Sequence, residues 1–188
     1  KDSDFKTSYR YFNQFLEETK DDSTFYTDDR IRAEYYIAIL SYYLGRGDAS
    51  RLLEINTVNA DDRFGDNSLY FEPVSRVYLI LNYARSNRPK NVITTYEYIT
   101  YGDSKSDVIG YLDGLRESDF KGVRVGEFNT VIRNKVIIAV ARGYVYNKND
   151  ANRAKDFYTK HGSILNSIDR ELSKEIQEFI NEKWGWWF

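Results

Sequence analysis

The chain has 188 residues, of which 41% are hydrophobic and 16% aromatic, and its 27 Lys+Arg against 29 Asp+Glu give a net charge of −2. This length suits one domain with a substantial core, and the apolar content excludes a disordered chain. The near-neutral balance provides no global basic field for phosphates, so nucleic acid is not an expected partner. Cysteine is absent, which excludes disulfides and thiolate metal sites.

An amphipathic helix is the first predicted element, over residues 3–19. Its apolar stripe repeats at helical spacing, which indicates a face that packs against the helices after it. No apolar run in the chain approaches the roughly 20 residues that span a bilayer. The stripe consists of Phe5, Tyr9, Phe12 and Leu16.

Three helical hairpins are predicted next, because apolar and small residues recur at three-to-four spacing on either side of short polar turns. A loop over 59–68, a glycine-weakened helix over 104–119 and an irregular segment over 120–128 connect them, and a last helix covers 163–184. The pattern therefore predicts an all-α single domain over 1–188 with about eight or nine helices. The hairpins lie at 28–57, 73–101 and 127–160.

A short motif recurs at the hairpin turns. Residues 37–54 read IAILSYYLGRGDASRLLE and residues 138–157 read IAVARGYVYNKNDANRAKDF, so both have an Ile-Ala pair in the first helix and Asp-Ala after the turn. A third, weaker copy, residues 77–99, has Asn-Arg-Pro at its turn. The recurrence predicts that each hairpin is built in the same way.

Residues suited to capping begin the second helix of each hairpin. Asp48 and Asp150 can accept hydrogen bonds from the exposed amides of the next turn. Pro89 suits a first helical turn because it has no amide hydrogen to lose. A glycine or asparagine ends the first helix in each copy.

The pattern resembles tetratricopeptide and Sel1-like repeats, which pair a small residue and a downstream Tyr in one helix with an Ala and an aromatic in the next. Ala141, Tyr144, Ala154 and Phe157 approximate it. The resemblance covers about half of the chain, and the turns are about 40 and about 60 residues apart where tetratricopeptide units repeat about every 34. It implies stacked antiparallel hairpins, a TPR-like α-solenoid, whose first helices line a concave binding surface.

Tyrosine is abundant, with 17 residues, and each hydroxyl needs a partner or water. Some tyrosines are therefore expected on an accessible surface, where neighbouring arginines would make a groove for a protein or peptide. Sealing the edges of the stack is the alternative role. The candidate partner-binding residues are Arg32, Tyr35, Tyr36, Tyr43, Arg76, Tyr83, Arg142 and Tyr146.

The carboxyl-terminal KWGWWF adds Trp184, Trp186 and Trp187 to the candidate partner-binding residues. Leaving these rings in water costs roughly 25 cal/mol per Å² of apolar area. The tail could fold back over the last hairpin, dock into a partner or a second copy of the chain, or insert at a membrane interface. Truncation of the tail would discriminate between these roles.

Catalytic and metal-binding patterns are weak, so no catalytic residue, metal or cofactor is expected. The one histidine, His161, precedes Gly162 and suits the end of a helix. The oxygen-rich loop over 61–67 lacks the ligand spacing of a calcium loop. Carboxylates that could form an acid–base pair are Glu72, Asp113, Glu117 and Asp119.

The sequence therefore favours a non-enzymatic helical-repeat scaffold that binds a protein or peptide, with a role in cell-envelope assembly as one setting. The alternatives are a small all-α hydrolase or carbohydrate-binding protein with a Tyr/Trp and carboxylate cleft, and a structural subunit that self-associates through its tail. The opening KDSDFKTS suits an exported or lipid-anchored chain, and a cytosolic chain freed from a tag would begin in the same way. Both compartments stay open.

Overall fold

The structure is a computed structural model that describes residues 2–21, 27–46, 49–58, 68–101, 109 and 125–184. In these ranges all regular secondary structure is helical and no strand occurs, so the predicted all-α class is confirmed. No helix of the described residues combines the length and apolar content needed to cross a membrane. The helices are α1 (Asp2–Glu18), α2 (Thr27–Leu44), α3 (Ala49–Val58), α4 (Ser68–Arg85), α5 (Pro89–Tyr101), α6 (Val125–Asn147), α7 (Ala151–Ile168) and α8 (Arg170–Trp184).

The contacts within the chain define two compact units, Lys1–Asn82 and Tyr83–Phe188. The first contains α1, α2, α3 and most of α4, and the second contains α5 to α8. Each unit has its own buried apolar residues. The prediction of a single domain over 1–188 depends on how the two units combine, so it stays a prediction.

Two predicted helix boundaries were wrong. Helix α4 begins at Ser68 and continues through Pro73, which the sequence had placed at the helix start. A proline inside a helix lacks the amide that bonds to the preceding turn and crowds that turn, so this helix continues through Pro73 at a cost in stability. Helix α6 begins at Val125, so the end of the segment predicted as irregular is helical. The predictions for 59–67, 104–108, 110–119 and 120–124, and the cap at Asp48, lie outside the described residues.

The predicted helix over 163–184 is divided at Asp169, and Gly162 does not end a helix. A side chain at Gly162 would come within 2.8 Å of the Tyr158 ring, so this glycine makes room for that ring along α7. The Tyr158 hydroxyl lies 3.0 Å from the Ser173 hydroxyl of α8. Asp169 then ends α7 and caps α8, because its carboxylate accepts from the Leu172 amide at 3.1 Å.

In the first unit, α1 packs against α2, and α2 packs against α3. The Phe5 ring lies 5.1 Å from the Tyr43 ring, and the Phe12 ring lies 5.3 Å from the Tyr36 ring. The earlier residue of α1 contacts the later residue of α2, and the later residue of α1 contacts the earlier one. The two helices are therefore antiparallel. Arg30 of α2 also donates to the backbone carbonyl that follows α1. The apolar stripe predicted for α1 therefore faces α2.

Hydrogen bonds between side chains connect α4 to α2 and α3. The Tyr78 hydroxyl lies 2.9 Å from the Tyr43 hydroxyl. The Asn82 amide donates to the hydroxyl of Ser50. Tyr78 and Asn82 are both buried, so each bond satisfies a polar group that has lost its contact with water.

In the second unit, α6 packs against α5 and α7, and α8 packs against both α6 and α7. The Phe157 ring of α7 lies 5.8 Å from the rings of Tyr96 in α5 and Tyr144 in α6. All three rings are fully buried. This aromatic cluster is the point at which three helices meet.

A polar network closes one edge of that cluster. The Glu97 carboxylate of α5 accepts from the guanidinium of Arg153 in α7 and, at 3.4 Å, from the Tyr144 hydroxyl. Asp150 accepts from the Arg153 amide at 3.0 Å, which confirms its predicted N-cap. The carboxylate of Glu97 raises the pKa of Arg153. The network joins the beginning of α7 to α5 and α6.

The first helices of all three predicted hairpins end on a residue with positive φ: Gly45 at 65°, Asn87 at 53° and Lys148 at 48°. In the first two turns the amide of the following residue bonds back to the helix end, from Arg46 N to Ser41 O at 2.9 Å and from Arg88 N to Tyr83 O at 2.9 Å. The third uses the simpler bond from Lys148 N to Tyr144 O at 3.0 Å. Left-handed caps of this kind satisfy the last carbonyls of a helix. The turns therefore share one local mechanism.

Close approach of α5 and α6 depends on Gly143. A Cβ at this position would lie 2.7 Å from Cδ1 and 2.8 Å from Cγ1 of Ile93, and 3.4 Å from the carbonyl oxygen of Pro89. Ile93 is itself buried, so it has little room to move. Gly143 is therefore a small residue at a helix contact, like the alanines predicted for the hairpins, although its own place there was not predicted.

We predict that Lys148→Gly stabilises the chain by about 0.5–1 kcal/mol, because a side chain costs about 1–2 kcal/mol in the left-handed conformation and glycine loses part of that gain as unfolded-state entropy. The melting temperature should rise by about 1–4 °C. Lys148→Ala is the matched control: it removes only the exposed 3.8 Å ion pair to Glu182, which contributes little. Equal melting temperatures for Lys148→Gly and Lys148→Ala would contradict the claim that the left-handed conformation at residue 148 is strained.

We predict that Gly143→Ala destabilises the chain by about 1 kcal/mol, since overpacking costs about 1–3 kcal/mol and better helix propensity returns about 1 kcal/mol. Urea unfolding measures the change. In an Ile93→Val background, which removes Cδ1, the same alanine should cost less or become stabilising. Additive effects in this double-mutant cycle would show that Gly143 and Ile93 are not the limiting contact.

Candidate functional site

Three of the predicted partner-binding residues are buried. Tyr35, Arg76 and Tyr83 are 2%, 9% and 4% exposed. They cannot contact a partner on the surface of the folded chain, so their assignment to an accessible groove is corrected. Because Tyr35 and Tyr36 are adjacent on a helix, they cannot face the same side, and one of them was expected to be exposed. The exposed member of the pair is Tyr36.

Tyr43 is partly buried in an aromatic cluster of the first unit. Its ring contacts Phe5 of α1, and its hydroxyl is bonded to Tyr78. Burial raises the pKa of Tyr43 above its ordinary value and raises the pKa of Tyr78 well above it. These contacts give Tyr43 a role in packing.

Arg32 and Tyr36 remain as an exposed pair on α2. They are four residues apart, so they share one face of the helix. Arg32 is exposed, and Tyr36 is 43% exposed even though its ring stacks on Phe12 at an interplanar angle of 16°. The stacking holds the tyrosine in one orientation while one side of the ring faces solvent.

Arg142 and Tyr146 form a second exposed pair with the same spacing, on α6. Tyr146 is 71% exposed, the most of the exposed large apolar side chains in the described residues. The Arg142 guanidinium lies 3.8 Å from the carboxylate of Asp169, between α7 and α8. We call Arg32 with Tyr36, and Arg142 with Tyr146, the two Arg–Tyr pairs.

The tryptophan tail is only partly described. Helix α8 ends at Trp184, and the Trp184 side chain and residues 185–188 lie outside the described part of the chain. The predicted contacts of Trp184, Trp186 and Trp187, including self-association, stay predictions.

A basic cleft that the sequence analysis missed lies on α1. It occupies about 410 Å³ and is open to solvent. The Arg46 guanidinium lies 4.9 Å from the centre of the Tyr9 ring, and the Arg10 guanidinium lies 5.5 Å from that of Tyr11. The spacing of Lys6, Arg10 and Asn13 on one helical face could have indicated it, but the contribution of Arg46 depends on the fold. The lining residues are Lys6, Thr7, Tyr9, Arg10, Asn13 and Arg46.

No candidate metal site is formed by the described residues. No group of three or more His, Asp or Glu side chains among them could hold a metal ion. His161 lies inside α7 and is buried, with its ring 5.3 Å from that of Phe157, so its predicted place at a helix end was wrong. The loop over 61–67, Asp113, Glu117, Asp119 and the side chain of Glu72 lie outside the described residues.

Comparisons with known proteins identify no relative. No protein-family model matches the chain, and neither a curated protein nor a solved structure matches it. The resemblance to tetratricopeptide and Sel1-like repeats therefore stays a prediction based on the residues quoted above.

We predict that Tyr43→Phe destabilises the chain by about 1–2 kcal/mol, because it leaves the buried Tyr78 hydroxyl without this partner, whereas Tyr43→Phe/Tyr78→Phe is close to neutral. Urea unfolding at pH 7 measures both changes. A double variant that is less stable than Tyr43→Phe would contradict the packing role.

The same pair predicts how stability depends on pH. Folding raises both pKa values above the ordinary 10.0, so the stabilisation is fully present below about pH 10 and is lost as pH rises toward the folded-state values. The free energy of unfolding should fall less steeply above pH 10 in the double variant than in the wild type. If the free energy of unfolding has the same pH dependence in the two chains, the raised tyrosine pKa values are contradicted.

Proposed function

We propose that the protein is a non-enzymatic helical-repeat scaffold that binds a protein or peptide partner through the two Arg–Tyr pairs. The observation that carries this proposal is that arginine and tyrosine recur, exposed and four residues apart, on the first helix of two predicted hairpins. Arginine and tyrosine are enriched among the residues that dominate binding energies at interfaces. Four of the predicted partner-binding residues meet the requirement of exposure.

The orientation of these side chains also favours binding. Tyr36 is stacked on Phe12, and Arg142 is near Asp169, so each pair has one member whose freedom is already reduced. Ordering a long side chain at an interface costs about 0.5–1.5 kcal/mol. Part of the entropy cost of ordering these side chains is met when the chain folds. Binding of a partner then has to offset a smaller cost.

The second element of the proposal is that the hairpins stack in a TPR-like arrangement with a concave binding surface. The left-handed caps at Gly45, Asn87 and Lys148 support it, because a solenoid is made of units that turn by the same mechanism. The packing of α2 on α3 and of α6 on α7 agrees with antiparallel hairpins as the unit.

Affinity capture from an extract of the cells that make the protein tests the proposal. Wild type should retain a defined partner, and Tyr36→Ala/Arg142→Ala should reduce the amount captured by about tenfold or more, since each residue of this type can contribute over 1 kcal/mol. The matched control is Tyr98→Ala/Lys160→Ala, which removes an exposed tyrosine and an exposed cation of the second unit. If all three chains capture the same proteins in equal amounts, the pairs are not the binding surface.

A further inference from the structure

The basic cleft on α1 concentrates positive charge in a chain whose net charge is negative. Lys6, Arg10 and Arg46 contribute three cations, and no carboxylate is among the lining residues. Within the described part of the chain, none of these three makes an ion pair. By contrast, Lys20, just after α1, lies 3.7 Å from the carboxylate of Glu17. The cleft therefore has unmatched charge at a concave position.

Both guanidinium groups of the cleft lie within cation–π distance of an aromatic ring. Arg46 lies over the Tyr9 ring and Arg10 over the Tyr11 ring. A guanidinium that stacks on an aromatic ring uses its flat face, and its N–H donors remain in the plane of the group, where they can bind a carboxylate or phosphate. The neighbouring Asn13 amide already donates to the Tyr9 carbonyl at 2.7 Å.

The spacing of the donors favours an extended chain over a single small anion. Lys6 and Arg10 are four residues apart on α1, which corresponds to a rise of about 6 Å. Alternate side chains of an extended peptide are about 6.6 Å apart on one face. Two acidic residues separated by one residue would therefore place a carboxylate near each cation. Arg46 would form the opposite wall.

From this arrangement we propose that the cleft binds an acidic extended peptide segment with carboxylates at alternate positions. This inference rests on the proposed function, because it specifies the chemistry of one segment of the partner that the Arg–Tyr pairs bind. The partner would make charge-assisted hydrogen bonds to Arg10 and Arg46 and a looser ion pair to Lys6. The cleft would therefore select a segment by its negative charge.

A fluorescence-anisotropy titration tests this inference. The probe is a labelled Gly-Glu-Gly-Glu-Gly-Glu-Gly peptide, compared with the same peptide in which every Glu is Gln. The acidic peptide should bind at least about tenfold more tightly in low salt, and Arg10→Gln/Arg46→Gln should weaken it by about tenfold, the effect of two exposed charge pairs. Binding should weaken as salt is raised, since these groups are exposed.

Matched variants separate the cleft from general charge effects. Lys90→Gln/Lys160→Gln changes the net charge equally at exposed residues outside the cleft and should leave affinity unchanged. Arg46→Lys keeps the charge but loses the planar group, so it should bind about twofold to threefold more weakly than wild type. Equal losses in the cleft and control double variants would overturn the inference. Circular dichroism confirms that each variant is folded.

Competition identifies the ligand class. An excess of inorganic phosphate or pyrophosphate, an eight-nucleotide single strand, or vesicles with anionic phospholipid should each displace the peptide poorly. If one of them binds as tightly as the acidic peptide, the peptide assignment is overturned. If the peptide does not bind although the Arg–Tyr pairs capture a partner, the inference fails and the proposed function stands. If the peptide binds and no partner depends on those pairs, the proposed function fails alone.

Discussion

The described structure depends on close contact between short helices. Its helices have between 10 and 23 residues, and helices of this length gain most of their stability from burying an apolar face against a neighbour. Small residues allow that contact: Ala38 and Ala141 are fully buried, and Gly143 lets α5 approach α6 where even a methyl group would meet Ile93. The left-handed caps then reverse the chain without leaving helix carbonyls unsatisfied. Packing and turns together account for the antiparallel helix pairs within each unit.

Most of the local structure could be predicted from sequence, because helix periodicity and caps are encoded within a few residues. Pro89 begins α5 and Asp150 caps α7, as predicted. The predictions failed where a distant contact decides the outcome. Gly162 lies inside α7, where the Tyr158 ring occupies the space beside it and the Tyr158 hydroxyl reaches Ser173 of α8.

The candidate site was predictable to a similar degree. Spacing along one helix correctly indicated that one tyrosine of the Tyr35 and Tyr36 pair faces solvent, whereas it could not show which arginines are buried. The basic cleft needs Arg46 to fold back over Tyr9, so it depends on tertiary structure. Buried apolar faces hold the helices together, and arginine, tyrosine and lysine side chains lie exposed on the outer faces of those helices. Those side chains, by our proposal, bind a partner that carries acidic residues.

The central claim is that both Arg–Tyr pairs contact one partner, and site-specific photocrosslinking tests it most directly. Because the chain has no cysteine, Asp29→Cys in α2 and Lys135→Cys in α6 can each carry a benzophenone label at an exposed residue on the face of the adjacent pair, with Lys160→Cys in α7 as the control. The account predicts that the labels at 29 and 135 crosslink the same polypeptide and that the label at 160 does not. Crosslinking to unrelated polypeptides from the two pairs, or equally from all three positions, would contradict it.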